Sequence, residues 1–503
     1  MAGALKGRGP VHHPLAIGAT FAVYLVAMLA IGAGFYRTNG DLSDYLLGGR
    51  RLNRWVTALS AGASDMSGWL LLGLPGYAYT AGLQAGWIAL GLLTGTYLNW
   101  RVVAGRLRRY TELAGDAITL SDFLERRFAD DTRLLRGVSA LFILVFYLLY
   151  TASGLVAGGK LFAAVFGLPY YVAVLAGAAV IVGYTFLGGF LAVCWTDLVQ
   201  GLLMAAALVV VPIAALHAAG GWAATGHAMA AVDPALLDPL RDVHGRPLTA
   251  IAVVSLLAWG LGYFGQPHIL VRFMAIRSHR ELPGARRIAM GWVSVSLTGA
   301  LLVGFAGIAY LHPALTGPDT EKVFIRLVGA LFHPVPAGIL LAAILAAIMS
   351  TADSQLLVAS SALAEDFYKG RLRRAAGARE LLWVARGAVL LIAGGALWLA
   401  RDPDSRVLEL VAYAWAGFGA AFGPALLLSL FWPRMTARGA LAGMLTGGVT
   451  VIVWHHLSGG IFDLYGIVPG FVLSALAVVG ASLLDRPPDA GVRALFERVR
   501  AGG

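Results

Sequence analysis

The sequence predicts an all-α polytopic membrane protein with about 13 transmembrane helices. Hydrophobic residues fill 59% of its 503 positions and charged residues only 13%, and apolar runs recur from end to end, as in chains that live in lipid. The basic residues that give the net charge of +11 also sort to alternate loops.

The spans follow in order. The first, from Pro14 to about Tyr36 and centred near Leu25, is too long for a signal-peptide core and lacks a small-residue cleavage pattern, so it reads as a retained helix. Later spans centre near Gly68, Leu92, Val145, Ala178, Met204, Leu257, Leu301, Leu345, Leu390, Gly417, Thr446 and Leu473. With the N-terminus outside, the cytoplasmic loops take Arg50, Arg51 and Arg54, then Arg106, Arg108, Arg109, Arg126 and Arg127. They also take Arg272, Arg277, Arg280, Arg286 and Arg287, the cluster Lys369 to Arg379, and Arg434, Arg438, Arg486, Arg493, Arg498 and Arg500. Lys6, Arg8, Arg241, Arg246, Lys322 and Arg326 stay outside. Roughly three quarters of Lys and Arg are then cytoplasmic. Spread over several loops, they make no patch for nucleic acid.

The longest polar connections, 116–136, 220–248 and the tail after Asp485, leave no room for a soluble catalytic domain. The second reads as an ordinary outer loop or a short lid. Cys194 is the single cysteine, which excludes an intramolecular disulfide, and no Cys/His spacing suits zinc or a redox cofactor. No nucleophile and base stand together in an enzyme-like pattern.

Three segments carry polar groups where lipid-facing helices do not. SAGASDMSGWLLLGLPG, Ser60 to Gly76, places Asp65 in an apolar run, at a cost that requires a partner or a task. Gly62, Gly68, Gly73 and Pro75 offer places to unwind, and an unwound helix frees carbonyls, around Ala63 and Met66, for a cation. The restart near Ser67 and Gly68 suits a carboxylate. A continuous helix with small residues for close packing is the competing reading. In Ile339 to Tyr368, Ala347, Ser350 and Thr351 stand at i, i+3 and i+4 and share one face, an all-oxygen set suited to a hard cation. Hydroxyls in membrane helices also bond back to their own backbone. In SLLAWGLGYFGQPHILVRFMAIRS, Ser255 to Ser278, Trp259, Tyr263 and Pro267 recur every four residues, which predicts one face against which a small ring can pack, or an ordinary aromatic stripe. His268 reads as structural.

These segments, with GYTFLGGFLAVCWTDLVQG and AAIMST followed by QLLV and SSALAED, resemble in the same order those of the sodium/solute symporter family, and within it the bacterial proline-transporting branch. The resemblance spans nearly the whole chain. It implies a LeuT-type architecture: a leading helix at 14–36, inverted five-helix repeats at 55–217 and 248–431 whose first helices are broken, two extra helices at 436–484 and a cytoplasmic tail at 485–503. It implies sodium-coupled uptake of L-proline across the bacterial cytoplasmic membrane, with Na+ as coupling ion, no cofactor, the lipid bilayer as surroundings and no obligate protein partner.

Residue by residue, the sodium site carries onto the carbonyls of Ala63, Met66 and Ala347 and the hydroxyls of Ser350 and Thr351, with Asp65 as electrostatic support. The solute site carries onto Trp259, Tyr263 and Pro267, with Ser67, Gly68 and Tyr150 as neighbours. Asp197 either serves a second cation or caps a helix end. Asp353 departs from the family pattern, where a small or hydroxyl residue is expected. It either binds a proton or a second sodium, or faces an aqueous path. A sodium- or proton-coupled carrier of a monocarboxylate, pantothenate or another amino acid is the alternative; a channel would need a ring of filter residues.

Overall fold

Among the described residues nine helices are long and apolar enough to cross a membrane, and a tenth span, Ala250–Gly265 with Pro267–Ala275, is bent by 47°. The structure, a computed structural model, describes residues 14–36, 47–185, 189–242, 244–373 and 375–501. Within them no strand occurs beyond two isolated bridges, Leu52 with Ile276 and Arg241 with Pro247. Lys6, Arg8 and Arg374 of the charge pattern, and residues 186–188 of GYTFLGGFLAVCWTDLVQG, lie outside the described residues.

The helices are α1 Pro14–Tyr36, α2 Arg54–Asp65, α3 Leu74–Ala81, α4 Gly86–Leu98, α5 Ala104–Leu113, α6 Leu120–Phe128, α7 Leu134–Phe166, α8 Tyr170–Thr185, α9 Phe190–Ala218, α10 Gly221–Val232 and α11 Ala250–Leu257. There follow α12 Pro267–Ala275, α13 Leu282–Tyr310, α14 Val323–Leu331, α15 Pro334–Ser361, α16 Ala378–Leu399, α17 Val407–Phe431, α18 Ala437–Trp454, α19 Ile467–Leu484 and α20 Ala490–Ala501. Besides the bent span centred at Leu257, three of the expected spans are not single long helices. The one centred at Gly68 is split between α2 and α3, that at Leu92 passes through a widened turn at Asn99–Val103, and that at Ala178 is the short apolar helix Tyr170–Gly183.

Local chemistry explains where the chain breaks. The Asn53 side chain caps α2 by accepting from the amides of Trp55 (2.9 Å) and Val56 (3.0 Å). Helical backbone stops at Met66 (φ −89°, ψ 77°). It restarts as a widened turn over Trp69–Gly73, where Pro75, having no N–H for the carbonyl four residues back, disfavours regular α-helix. Downstream, the glycine-rich Ala258–Gly265 winds as a 3₁₀ helix, Gln266 is extended as the residue before a proline prefers, and Pro267 opens α12.

That 3₁₀ winding corrects the spacing argument for Trp259, Tyr263 and Pro267. At three residues per turn, positions four apart do not share a face. The polar connections are also less plain than the sequence suggests. The 220–248 segment contains α10, whose alanine-rich sequence favours helix; 116–136 contains α6; and the tail contains α20, whose Phe496 packs edge-on against Tyr110 (6.5 Å).

The core around the breaks is formed by α2, α9, α13 and α15, with α7 laid across α15 and α17. Helices α18 and α19 pair with each other and against α17. Beside the 3₁₀ segment, α4 is packed backbone to backbone. A Cβ on Gly91 would lie 2.3 Å from the Leu257 carbonyl oxygen, and one on Gly95 would lie 2.2 Å from that of Gly260.

Candidate functional site

The break in α2 faces the middle of α15. The Ser350 hydroxyl donates to the Ala63 carbonyl (2.8 Å) and lies 3.2 Å from that of Ala347, and the Thr351 hydroxyl donates to Ala63 at 3.4 Å. All are buried. Four of the five oxygens expected of the cation site thus converge. Met66, the fifth, is buried where the helix ends, and its own amide still bonds to the Gly62 carbonyl (3.0 Å). Such a cluster, drawn from an unwound backbone and two hydroxyls, can exchange its internal hydrogen bonds for a hard monovalent cation.

Asp65, the last residue of α2, is buried. Its Oδ2 accepts from the Tyr263 hydroxyl (2.7 Å), while Oδ1 has no hydrogen-bond partner among the described residues. The Tyr150 hydroxyl donates to the Asp65 carbonyl (3.1 Å), and the Ser67 hydroxyl oxygen lies 3.5 Å from the Trp69 amide at the restart. Trp259 tilts over Trp69 (centroids 6.1 Å apart), and Trp415 stands edge-on to Tyr263 (5.0 Å). The Trp415 indole donates to the Trp259 carbonyl (2.7 Å) and holds the 3₁₀ turn. Asp65, Tyr150, Ser67, Gly68, Trp259 and Tyr263 therefore meet around one junction. Pro267 instead lines a cavity with Phe190, Leu357, Ser361 and Asp366.

That cavity shares Ile118, Thr119 and Asp366 with another of about 280 Å³ at the charged end of the bundle. There Arg136 pairs with Asp122, Glu125 (2.8 Å) and Asp366 (3.5 Å). Burial lifts Glu125 above the usual carboxylate range while Arg136 pulls it down.

A third group joins the two expected acids Asp197 and Asp353 to a residue that was not foreseen. Arg272, counted among loop charges from the sequence, is fully buried on α12. It pairs with Asp197 of α9 (3.1 Å), and it donates to the Ser60 hydroxyl (3.0 Å), the Ser354 hydroxyl (2.5 Å) and the His268 carbonyl (2.7 Å). Ser60 also donates to Asp197 (2.7 Å). Asp353 Oδ1 accepts from Ser354 (3.4 Å), so this acid joins the Arg272 group. Asp197 Oδ1 and Asp353 Oδ2 have no hydrogen-bond partner among the described residues. His268 Nδ1 lies 3.0 Å from the Tyr147 hydroxyl, a structural contact. The available signal for Arg272 was its place inside the apolar run PHILVRFMA, ahead of the basic loop.

The sequence model of the Sodium:solute symporter family matches residues 45–447. A sodium/proline symporter of Salmonella typhimurium is 51% identical over 487 residues, covering 96% of each chain. The high-affinity proline transporter of Bacillus subtilis is 51% identical over 471 residues, 93% of this chain and 98% of that one. A solved Na+-coupled sialic acid symporter, substrate-bound and outward-open, shares the fold, with a TM-score of 0.78 at 20% identity over 94% of this chain and 99% of that one.

Proposed function

Since the chain belongs to the sodium:solute symporter family, whose members are transporters and not enzymes, we propose that it imports L-proline in symport with Na+ across the bacterial cytoplasmic membrane. Half identity over nearly the full length of proline symporters supports the solute. The observation that carries the ion site is the meeting of the Ser350 and Thr351 hydroxyls with the Ala63 and Ala347 carbonyls.

In this reading thirteen spans run from an outer N-terminus to a cytoplasmic C-terminus. Residues 14–36 lead, 55–217 and 248–431 are LeuT-type inverted repeats, 436–484 are two extra helices and 485–503 are the tail. The breaks after Asp65 and at Gln266 support the repeats, since each interrupts the first helix of its half.

Sodium, held by Ala63, Met66, Ala347, Ser350 and Thr351, ties α2 to α15 and orders the break. Asp65 adds negative charge. Proline then sets its carboxylate at the restart near Ser67 and Gly68 and its ring against Trp259 and Tyr263, beside Tyr150 and with Pro267 bordering the inward path. Both ligands favour one occluded state, so each raises the affinity of the other by the same factor. Asp197 and Asp353 form a second place for a cation, a proton or a sodium, beside Arg272.

The test is radiolabelled L-proline uptake into proteoliposomes under an inward sodium or an inward proton gradient, repeated with Ser350→Ala and Thr351→Ala together. Sodium-driven uptake lost in the double variant is expected. Uptake driven by protons moves the coupling to Asp353, and no uptake of proline under either gradient moves the solute to another small acid.

A further inference from the structure

The connection between the two helices outside the repeats reaches the solute wall at Tyr465. Tyr465, in the connection between α18 and α19, lays its ring over Trp259 (centroids 5.6 Å apart, planes 31°) on an indole that also tilts over Trp69. Its amide donates to the Ser255 hydroxyl (2.9 Å), one turn before Trp259 on α11, and its hydroxyl donates to the Ala412 carbonyl on α17 (2.6 Å). The connection is itself braced: the Trp454 indole donates to the Leu464 carbonyl (2.9 Å), and Val468 N–H donates to the Tyr465 carbonyl (2.9 Å). Trp415 holds the Trp259 carbonyl, so the indole angle is set by Trp415, Trp69 and Tyr465 together.

We propose that Tyr465 is a positioning residue for solute selection: it fixes the tilt of Trp259 and so sets the ring size that fits against it. This rests on the reading that Trp259 borders the solute. Aromatic pairs of this geometry are directional, so removing one ring frees the other to rotate.

The experiment measures sodium-driven L-proline uptake in proteoliposomes, with inhibition by azetidine-2-carboxylate and pipecolate as four- and six-membered probes. Tyr465→Ala raises the KM for proline about tenfold at a maximal rate per transporter within about twofold, and it shrinks the preference for proline over pipecolate about fivefold. Tyr465→Phe keeps the ring and stays near the parent in both, whereas Tyr465→Leu, which keeps bulk for folding, follows the alanine variant. A lower maximal rate with KM and ring-size preference unmoved in the Ala and Leu variants overturns the proposal. A parent protein that takes up no proline with sodium overturns the underlying reading instead, and the two failures are distinct.

Discussion

Removing the two ends of the buried Arg272–Asp197 pair should have unequal effects. At 3.1 Å and an effective dielectric of about 20, the gross attraction is about 5 kcal/mol, and deleting one partner of a buried pair costs about 3–5 kcal/mol. Asp197→Asn leaves Arg272 with the Ser60 and Ser354 hydroxyls and the His268 carbonyl, and with the Asp353 carboxyl next to Ser354, so the loss falls at or below about 3 kcal/mol. Arg272→Met leaves the buried Asp197 carboxylate, beside the Asp353 carboxyl, with no cation in the group, and the loss sits near about 5 kcal/mol. The double variant, which removes one charge of each sign, should be milder than Arg272→Met alone by about 2 kcal/mol. Thermal unfolding in detergent, with choline replacing sodium so that no added cation fills the gap, gives the order. Asp197→Asn at least as damaging as Arg272→Met, or simple additivity in the double variant, would refute the reasoning.

Three further outcomes are expected. Equilibrium binding should show proline tightening sodium by the same factor as sodium tightens proline, and indifference of either would break the shared-state account. Gly262→Ala places a Cβ 1.8 Å from Trp415 Nε1, displacing the indole from the Trp259 carbonyl at a cost of about 2–4 kcal/mol; melting temperature should fall and KM rise, and no change in either would mean the 3₁₀ turn is slack. Lys160→Met strips the ammonium from Glu321, whose carboxylate then keeps only the amides of Val407 and Leu408 (both 3.1 Å). The loss should be about 3 kcal/mol, read by thermal unfolding, with Glu321→Gln milder because one acceptor oxygen survives.

What the sequence exposed was local. Glycines and prolines marked both breaks because they act on the backbone where they stand, and Ala347, Ser350 and Thr351 were legible because a regular helix holds them on one face. The failures came from distance and from winding. Trp259 and Tyr263 were assigned a common face on an α-helical period, but the glycines between them tighten the turn to 3₁₀. Arg272 looked like a loop charge because Arg277 follows closely, while Asp197, its partner, lies 75 residues earlier. Trp415 reaches the 3₁₀ segment from 156 residues away and Tyr465 reaches Ser255, just ahead of it, from 210, and no periodicity announces such contacts.

The glycine seam between α4 and the 3₁₀ segment has a mechanical reading. Where helices cross through large side chains they mesh like gears, and any displacement must first lift each tooth from its socket. Here carbonyl rests on Cα with nothing protruding from either surface at Gly91, Gly95 and Gly260. The crossing is a plain bearing. The bearing is pinned at one end, where the Asn99 side chain donates to the Tyr263 carbonyl (3.0 Å), so any slip along α4 must first break that bond. A single methyl at the seam would act as a wedge that forces the two backbones apart.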